Sequence, residues 1–584
     1  MPTDAPRSTL TFDGNCAFCR KWVDFWHTLT GDRVDYHAST APLRSVEYRT
    51  PDAHYIGAEA VCQLLAPVSG YEWMLRVYRH IPGLALLAEL LYRLVATHRT
   101  AADRVTTALW GERVERPTYH RASGIFSRAL AFIYLVAFAS FGMQARGLVG
   151  SQGILPINMY FRIAATQLGS DAKWKVPSIF WWAQSDFALL SIAWGGVALA
   201  AIATLARPFS VWQRGIFAIL FFYYLSIVGA GQVFMSYQWD LLLLETGFLA
   251  IFLRPSLPRV WLFQWLLFRL MFESGIVKLT SNDPTWHNLT ALSFHFETQP
   301  LPTVFAWFAA KLPMVLLQAS TAMVFVIELS LPFLIFGPRK LKQIAAFGFI
   351  ALQLLILLTG NYTFFNILAI ALCLFLFDDA FFAKKKMYIP IPPAWSNRFV
   401  SAALMVFIMT ASGIQLAQMF GAPQTELDAV LQAEEPFGLV NQYGLFAVMT
   451  RTRPEIEVEG SNDGANWQPY VFRYKSGPLN RAPGWVAPFQ PRLDWQMWFA
   501  ALGGYRENPW FVRFLLQLLQ GSRPVLALME RDPFGGVPPK HVRAMVYEYK
   551  FTSIDELRRT GNWWRREFKG AYFPPVSLKG ANVP

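Results

Sequence analysis

Cys16 and Cys19 stand two residues apart, where the short run Ser8–Asn15 closes on a turn signal and an apolar-spaced segment begins. Two thiols at that spacing can pair across one helical turn, and a helix N-terminus favours a thiolate at the first of them. Cys16 would then attack and Cys19 resolve. Two other readings stay open: half of a zinc site completed by Cys62 and His27 or His37, although no second close pair exists, and two inert thiols.

A second set of reactive types lies inside apolar runs. Asp240 and Glu245 sit in Gln238–Gly247; Arg269, Glu273 and Lys278 share one run and Glu328 occupies another. A charge near the bilayer centre costs roughly 3 kcal/mol on insertion scales, so a retained one has a partner or a task. Arg269 and Glu273 are four apart and can pair on one helix face. This set reads either as an internal ion-pair lattice or as a polar cavity for a ligand or for proton transfer. A third set, Asp283, His287, His295 and Glu297, falls in a polar and aromatic loop; its spacing matches no standard zinc pattern, so a structured re-entrant loop is expected and no metal.

The elements that must position these groups follow from periodicity. Residues 8–15 read as a strand, and a helix should start at Cys16 with Phe18, Trp22, Phe25, Trp26 and Leu29 on one face. Amphipathic helix through 58–110 completes a small α/β domain, placed at 1–115. Long apolar runs then suggest about nine spanning helices, near 125–145, 186–206, 213–235, 239–253, 258–278, 313–337, 342–359, 361–378 and 400–420, in a membrane domain at 124–420. Alternate loops are basic: Arg113, Arg116 and Arg121, then Arg207 and Arg214, Arg254 and Arg259, Arg339, Lys340 and Lys342, and Lys384, Lys385 and Lys386. By the positive-inside rule these face the cytoplasm. The opening residues lack the apolar core of a secretory signal, so the N-terminus is expected inside and the tail outside. Residues 421–584 read as a β-rich α+β extracytoplasmic domain, with a hairpin at Glu455–Gly460 and Tyr470–Tyr474, a strand at 541–551 and helices near 493–503 and 509–520.

Composition narrows the function class. Of 584 residues, 54% are hydrophobic and 16% charged, below the quarter or so charged in soluble domains. The net charge of +13 sits largely in the short loops, which excludes nucleic acid as its explanation. Cys16, Cys19, Cys62 and Cys373 are the only cysteines, too few and too clustered for a secreted disulfide framework. No Walker loop, Rossmann fingerprint or nucleophile elbow appears, so no cofactor is expected.

Two resemblances add to this reading. Thr11–Arg20, Gly57-Ala58-Glu59-Ala60 and Leu91–Ala96 resemble the DCC family of thiol-disulfide oxidoreductases over about residues 8–112. That implies a thioredoxin-like fold with Asp13, Cys16 and Cys19 at its site. Gln238–Leu249, Lys278–Ser281, His295–Pro302, Thr359–Asn366, Asn441–Phe446, Pro491–Phe499 and Gly561–Arg566 resemble the lipase maturation factor family from about residue 125 onward. Its animal members are endoplasmic-reticulum membrane chaperones for secreted lipases. The resemblance draws attention to His295, Glu297, Gln299 and Asn361 in the outer loops, and to Tyr443, Asp494, Trp495, Trp498, Trp563 and Trp564 as client-binding residues, although most of these aromatics should be core and Asp494 should lock a turn. The fused cysteine domain and compact loops suggest a bacterial inner membrane.

The expectation is a maturation factor for exported proteins such as lipases. The alternatives are a membrane-bound protein-disulfide reductase or oxidoreductase acting through Cys16 and Cys19 with a cytoplasmic redox partner, and an intramembrane enzyme using the buried carboxylates.

Overall fold

The computed structural model describes residues 7–68, 70–112, 114, 116–382 and 395–578. They form two compact units, Met1–Thr118 with Phe336–Ile344, and Tyr119–Ile335 with Ala345–Pro584. Arg113 and Lys384–Lys386 lie outside the described residues.

The first unit is α/β. Strand β1 (Ser8–Asp13) runs parallel to β2 (Val34–Ser39), with the helix Ala17–Thr30 between them in sequence, and antiparallel to β3 (Glu47–Arg49), which pairs with β4 (His54–Ile56). The sheet order is β2-β1-β3-β4. Leu10, Val34 and Tyr48 from the strands meet Val23, Ala60 and Leu64 from the helices in one core. Val23 is the apolar residue that the first helix buries, whereas the expected face, Phe18, Trp22, Phe25, Trp26 and Leu29, is half-buried. Trp22 is the hub of that face, with ring centroids 6.1–6.4 Å from those of Phe18, Phe25, Trp26 and Trp110.

The second unit joins a helical bundle to a C-terminal sheet. Among the described residues, seven helices are long and apolar enough to cross a bilayer: His120–Gly142, Asp186–Leu205, Val211–Phe234, Leu257–Thr280, Met314–Phe336, Arg339–Thr359 and Arg398–Met419. Phe187, Leu205 and Trp212 are each more than 80% exposed on them, which places apolar surface where only lipid would tolerate it. Two of the nine expected spans are shorter. Gln238–Ile251 has 14 residues, about 21 Å at 1.5 Å per residue against a hydrocarbon thickness of about 30 Å. The run near 361–378 keeps helix only over Phe365–Leu376. The first is short because its apolar run is itself short, whereas in the second the expected first turn, 361–364, is irregular backbone around the buried Asn361, so there the apolar run overstates the helix. Glycine permits the closest helix approaches: a Cβ on Gly196 would lie 2.5 Å from the ring of Phe138.

In the C-terminal region, β5 (Pro454–Ser461) pairs with β6 (Gln468–Pro469) and with β9 (His541–Phe551), which pairs in turn with β10 (Trp564–Val576), all antiparallel. The expected hairpin is therefore short. Its second strand breaks after Pro469, and β7 (Val471–Phe472) leaves to pair with β8 (Met529–Arg531). The helices Arg492–Ala501 and Pro509–Leu519 form as expected. Strand β10 was not anticipated. Its Arg565-Arg566-Glu567 run and paired prolines hide the alternation, and its register shifts at Gly570, Phe573 and Val576 mark a bulged edge strand.

Candidate functional site

In the first unit, Cys16 is the N-cap of the Ala17–Thr30 helix, and its Sγ accepts the backbone N–H of Cys19 at 3.2 Å. Burial, then the hydrogen bond with Cys16 and its charge, push the Cys19 thiol up to about 12. Cys19 therefore stays protonated at neutral pH and is the poorer nucleophile. Asp13 is buried at the end of β1; its Oδ2 pairs with Arg99 Nη1 at 2.8 Å and its Oδ1 accepts the Asn15 N–H at 3.0 Å. It thus fixes the turn that presents Cys16. All four cysteines are free. Among the described residues no group of three or more His, Cys, Asp and Glu is arranged to hold a metal.

In the second unit, the intramembrane charges form three separate buried centres. Asp240 receives Arg492 in a two-pronged pair, Nη1–Oδ2 3.0 Å and Nη2–Oδ1 3.0 Å, and a close hydrogen bond from the Tyr224 hydroxyl. Glu245 pairs closely with Arg269; its Oε2 also accepts the Tyr443 hydroxyl at 2.8 Å and the Asn441 N–H at 2.9 Å. Glu273 does not pair with Arg269 as the four-residue spacing suggested; its Oε2 accepts the Tyr443 N–H at 2.9 Å. The guanidinium reaches across to the neighbouring helix and to the Asn441 carbonyl, at 3.0 Å, instead of along its own helix. Lys278 and Glu328 pair at 2.8 Å, with Glu328 on a wide π-type turn, Val326–Ser330.

Two of these centres are completed by the C-terminal region, and residues 297–301 and Asn361 extend the same junction. Asn361 uses both amide hydrogens and its oxygen there: Oδ1 accepts Val486 N at 2.7 Å and Ala487 N at 3.0 Å, and Nδ2 donates to Leu301 O and Gly484 O. Glu297 Oε2 accepts the Phe551 N–H at 2.8 Å. Gln299 Oε1 accepts the Tyr362 hydroxyl at 2.9 Å. Arg453, wholly buried, donates to the carbonyls of Glu297, Gln299 and Pro300 and pairs with Glu455 at 2.8 Å. His295 lies 3.4 Å from the Tyr362 hydroxyl, and Asp283 caps the next short helix through Thr285 N, so the loop acids and histidines do not gather.

The aromatic residues expected to meet a client are mostly interior. Tyr443, Trp495, Trp498 and Trp564 are buried, Trp498 Nε1 donates to Thr298 O at 2.9 Å, and Trp564 stacks under the Arg453 guanidinium at 5.1 Å. Trp563 is half-buried with its ring 5.3 Å from Trp307. Asp494 is buried and locks a turn by accepting Tyr474 N and Lys475 N, each at 2.9 Å. The buried side chains hold the junction, and Trp563 is the one of this set that keeps part of its ring exposed. Arg492, Arg453, Asn441 and Gln490 were not singled out from sequence. The signal was available in part, since a buried Asp240 requires a cation and its own helix contains none.

Comparison with known proteins follows the same division. Residues 121–384 match the model of the lipase maturation factor transmembrane domain, 439–574 that of the lipase maturation factor C-terminal domain, and 10–105 that of a DCC1-like thiol-disulfide oxidoreductase. Lipase maturation factor 2 of Homo sapiens is 35% identical over 590 residues, covering 78% of this chain and 82% of that protein. The chain belongs to the lipase maturation factor family. Lipase maturation factor 2 of Gallus gallus is 33% identical, with coverage of 78% and 82%, and lipase maturation factor 1 of Bos taurus 32% identical, with 80% and 90%. These family members are vertebrate proteins, so they lend no support to the bacterial origin expected from the fused cysteine domain. No solved structure matches. With seven apolar helices and this family assignment, the chain is an integral membrane protein.

Proposed function

We propose that this protein is a membrane-embedded maturation factor that helps exported lipases reach their active form. The observation that carries this is the junction between the bundle and the C-terminal region. Arg492, Asn441 and Tyr443 enter the bundle's polar centres, so residues 421–584 are held rigidly on the bundle at 124–420. Asp240, Glu245 and Glu328 each pair with a cation and Glu273 accepts a backbone N–H, which favours a scaffold over an intramembrane enzyme. The basic loops support a layout with the C-terminal region outside and the N-terminus in the cytoplasm; a client would meet the outer face. The test is an exported lipase expressed with and without the chain in a host lacking any maturation factor. Lipase activity per mass of secreted lipase should rise with the chain, and equal specific activity overturns the reading.

A second activity is supported by Cys16 at the helix N-cap beside a protonated Cys19. We read residues 1–115, within the first unit, as a thioredoxin-like thiol-disulfide oxidoreductase, as the β2-β1-β3-β4 order and the DCC1-like match favour. The Cys16 thiolate would attack a substrate disulfide and release one thiolate, and Cys19, losing its proton, would then attack the Cys16 sulfur and release the second. The substrate leaves reduced, the domain leaves oxidised, and a cytoplasmic dithiol partner must restore it.

A further inference from the structure

Between the Leu257–Thr280, Met314–Phe336 and Arg339–Thr359 helices is a cavity of about 100 Å³, lined also by Leu292 and His295 of the short Ala291–Thr298 helix and by Leu445 and Phe446. A single water needs roughly 10–15 Å³, so the space admits a polar head and the methylenes next to it. Leu270, Val324, Leu352 and Ile356 make its walls apolar.

The polar groups facing this space divide into satisfied and unsatisfied. Lys278 spends all three hydrogens, on Ser274 O at 2.9 Å and on the two Glu328 oxygens at 3.0 and 2.8 Å, so the pair carries no net charge into the cavity. The Tyr362 hydroxyl is donated to Gln299. Gln353, 4% exposed, accepts Asn366 Nδ2 at 2.7 Å through its Oε1, but its Nε2 amide meets no acceptor among the described residues. His295 has one neighbour at its Nε2, the Tyr362 hydroxyl at 3.4 Å, and among the described residues none at Nδ1. Gln353 Nε2 is thus a donor on the cavity wall with no acceptor among the described residues, so the site is built to receive an oxygen.

We propose that this cavity binds a neutral acyl-chain amphiphile of the glyceryl-ester class, its ester or hydroxyl oxygen accepting from Gln353 Nε2 beside His295 and its chain lying on the apolar walls. An anionic or cationic head would find no free counter-ion, because Lys278 and Glu328 satisfy each other. The site does not depend on the maturation role and would stand without it.

The test uses the full-length chain in phosphatidylcholine nanodiscs and a 1-monoacylglycerol with a diazirine in its chain, photocrosslinked and located by peptide mass spectrometry. Labelling should fall on the 270–278 and 352–356 peptides, saturate, and be competed by unlabelled 1-oleoylglycerol but not by oleate. Gln353→Leu removes the hydrogen bond to the ligand, together with the one from Asn366 Nδ2, and should weaken binding roughly threefold to tenfold; Val324→Trp fills the space and should abolish it. If Val324→Trp does not fold, Gln353→Leu, which keeps the side-chain size, decides alone. Labelling that neither saturates nor responds to Gln353→Leu overturns the site, and equal competition by oleate overturns the neutral head.

Discussion

Arg492, at the first turn of a C-terminal helix, and Asp240, in the first turn of a short bundle helix, form a two-pronged ion pair with both side chains at 0% exposure. Such a pair is costly to bury, yet more costly to break once buried, because one charge is left without a partner. Arg492→Met should therefore lower stability by roughly 3–5 kcal/mol. Arg492→Met combined with Asp240→Leu should recover part of that loss. Unfolding of the purified protein monitored by tryptophan fluorescence measures it, and an unchanged midpoint in the single variant would contradict the role given to the pair.

Gly247 on the same helix packs where a Cβ would collide with the Tyr134 hydroxyl. Gly247→Ala should cost about 1–3 kcal/mol by overpacking. Tyr134→Phe, which deletes the obstructing oxygen, should restore most of it in the double variant. Equal stability of the single and double variants would place the strain elsewhere.

His295 gives stability a pH dependence of known sign. Burial, and then the Lys278 charge, hold its imidazole down to about 4 in the folded chain, whereas the unfolded chain takes up the proton near its ordinary value of about 6.5. Between those values the unfolded state binds more protons, so this contribution is fully present above about pH 6.5 and is lost as pH falls toward 4. Melting temperature should drop between pH 7.5 and 5, and by less in His295→Gln. Parallel curves for the two proteins would remove His295 as the source.

The cysteines should differ in reactivity. With Cys19 held up to about 12, brief alkylation by iodoacetamide at pH 7.5 should modify Cys16 first, and Cys16→Ser should abolish insulin reduction by the reduced chain. Preferential labelling of Cys19 would reverse the assigned roles.

Sequence made the membrane class, seven of its nine expected spans and the dithiol at a strand-helix junction legible, because each rests on local pattern: apolar run length, loop charge, and two thiols in one turn. The partners of the buried charges were not legible. Asp240 and Arg492 are 252 residues apart, and nothing local tells Arg269 to prefer Glu245 on another helix to Glu273 on its own. Sequence composition leads us to expect most of the aromatics in the core, but not what covers them: Trp498 and Trp564 are interior because the Thr298 carbonyl and Arg453 come to meet them. Strand β10 was missed because an edge strand need not alternate cleanly.

The most direct measurement compares two full-length variants for the specific activity of a co-expressed exported lipase. Cys16→Ser with Cys19→Ser leaves the junction of bundle and C-terminal region intact and should retain lipase activation, whereas Arg492→Met opens that junction and should lose it at equal protein level. Activation lost in the cysteine variant and kept in Arg492→Met would contradict the account.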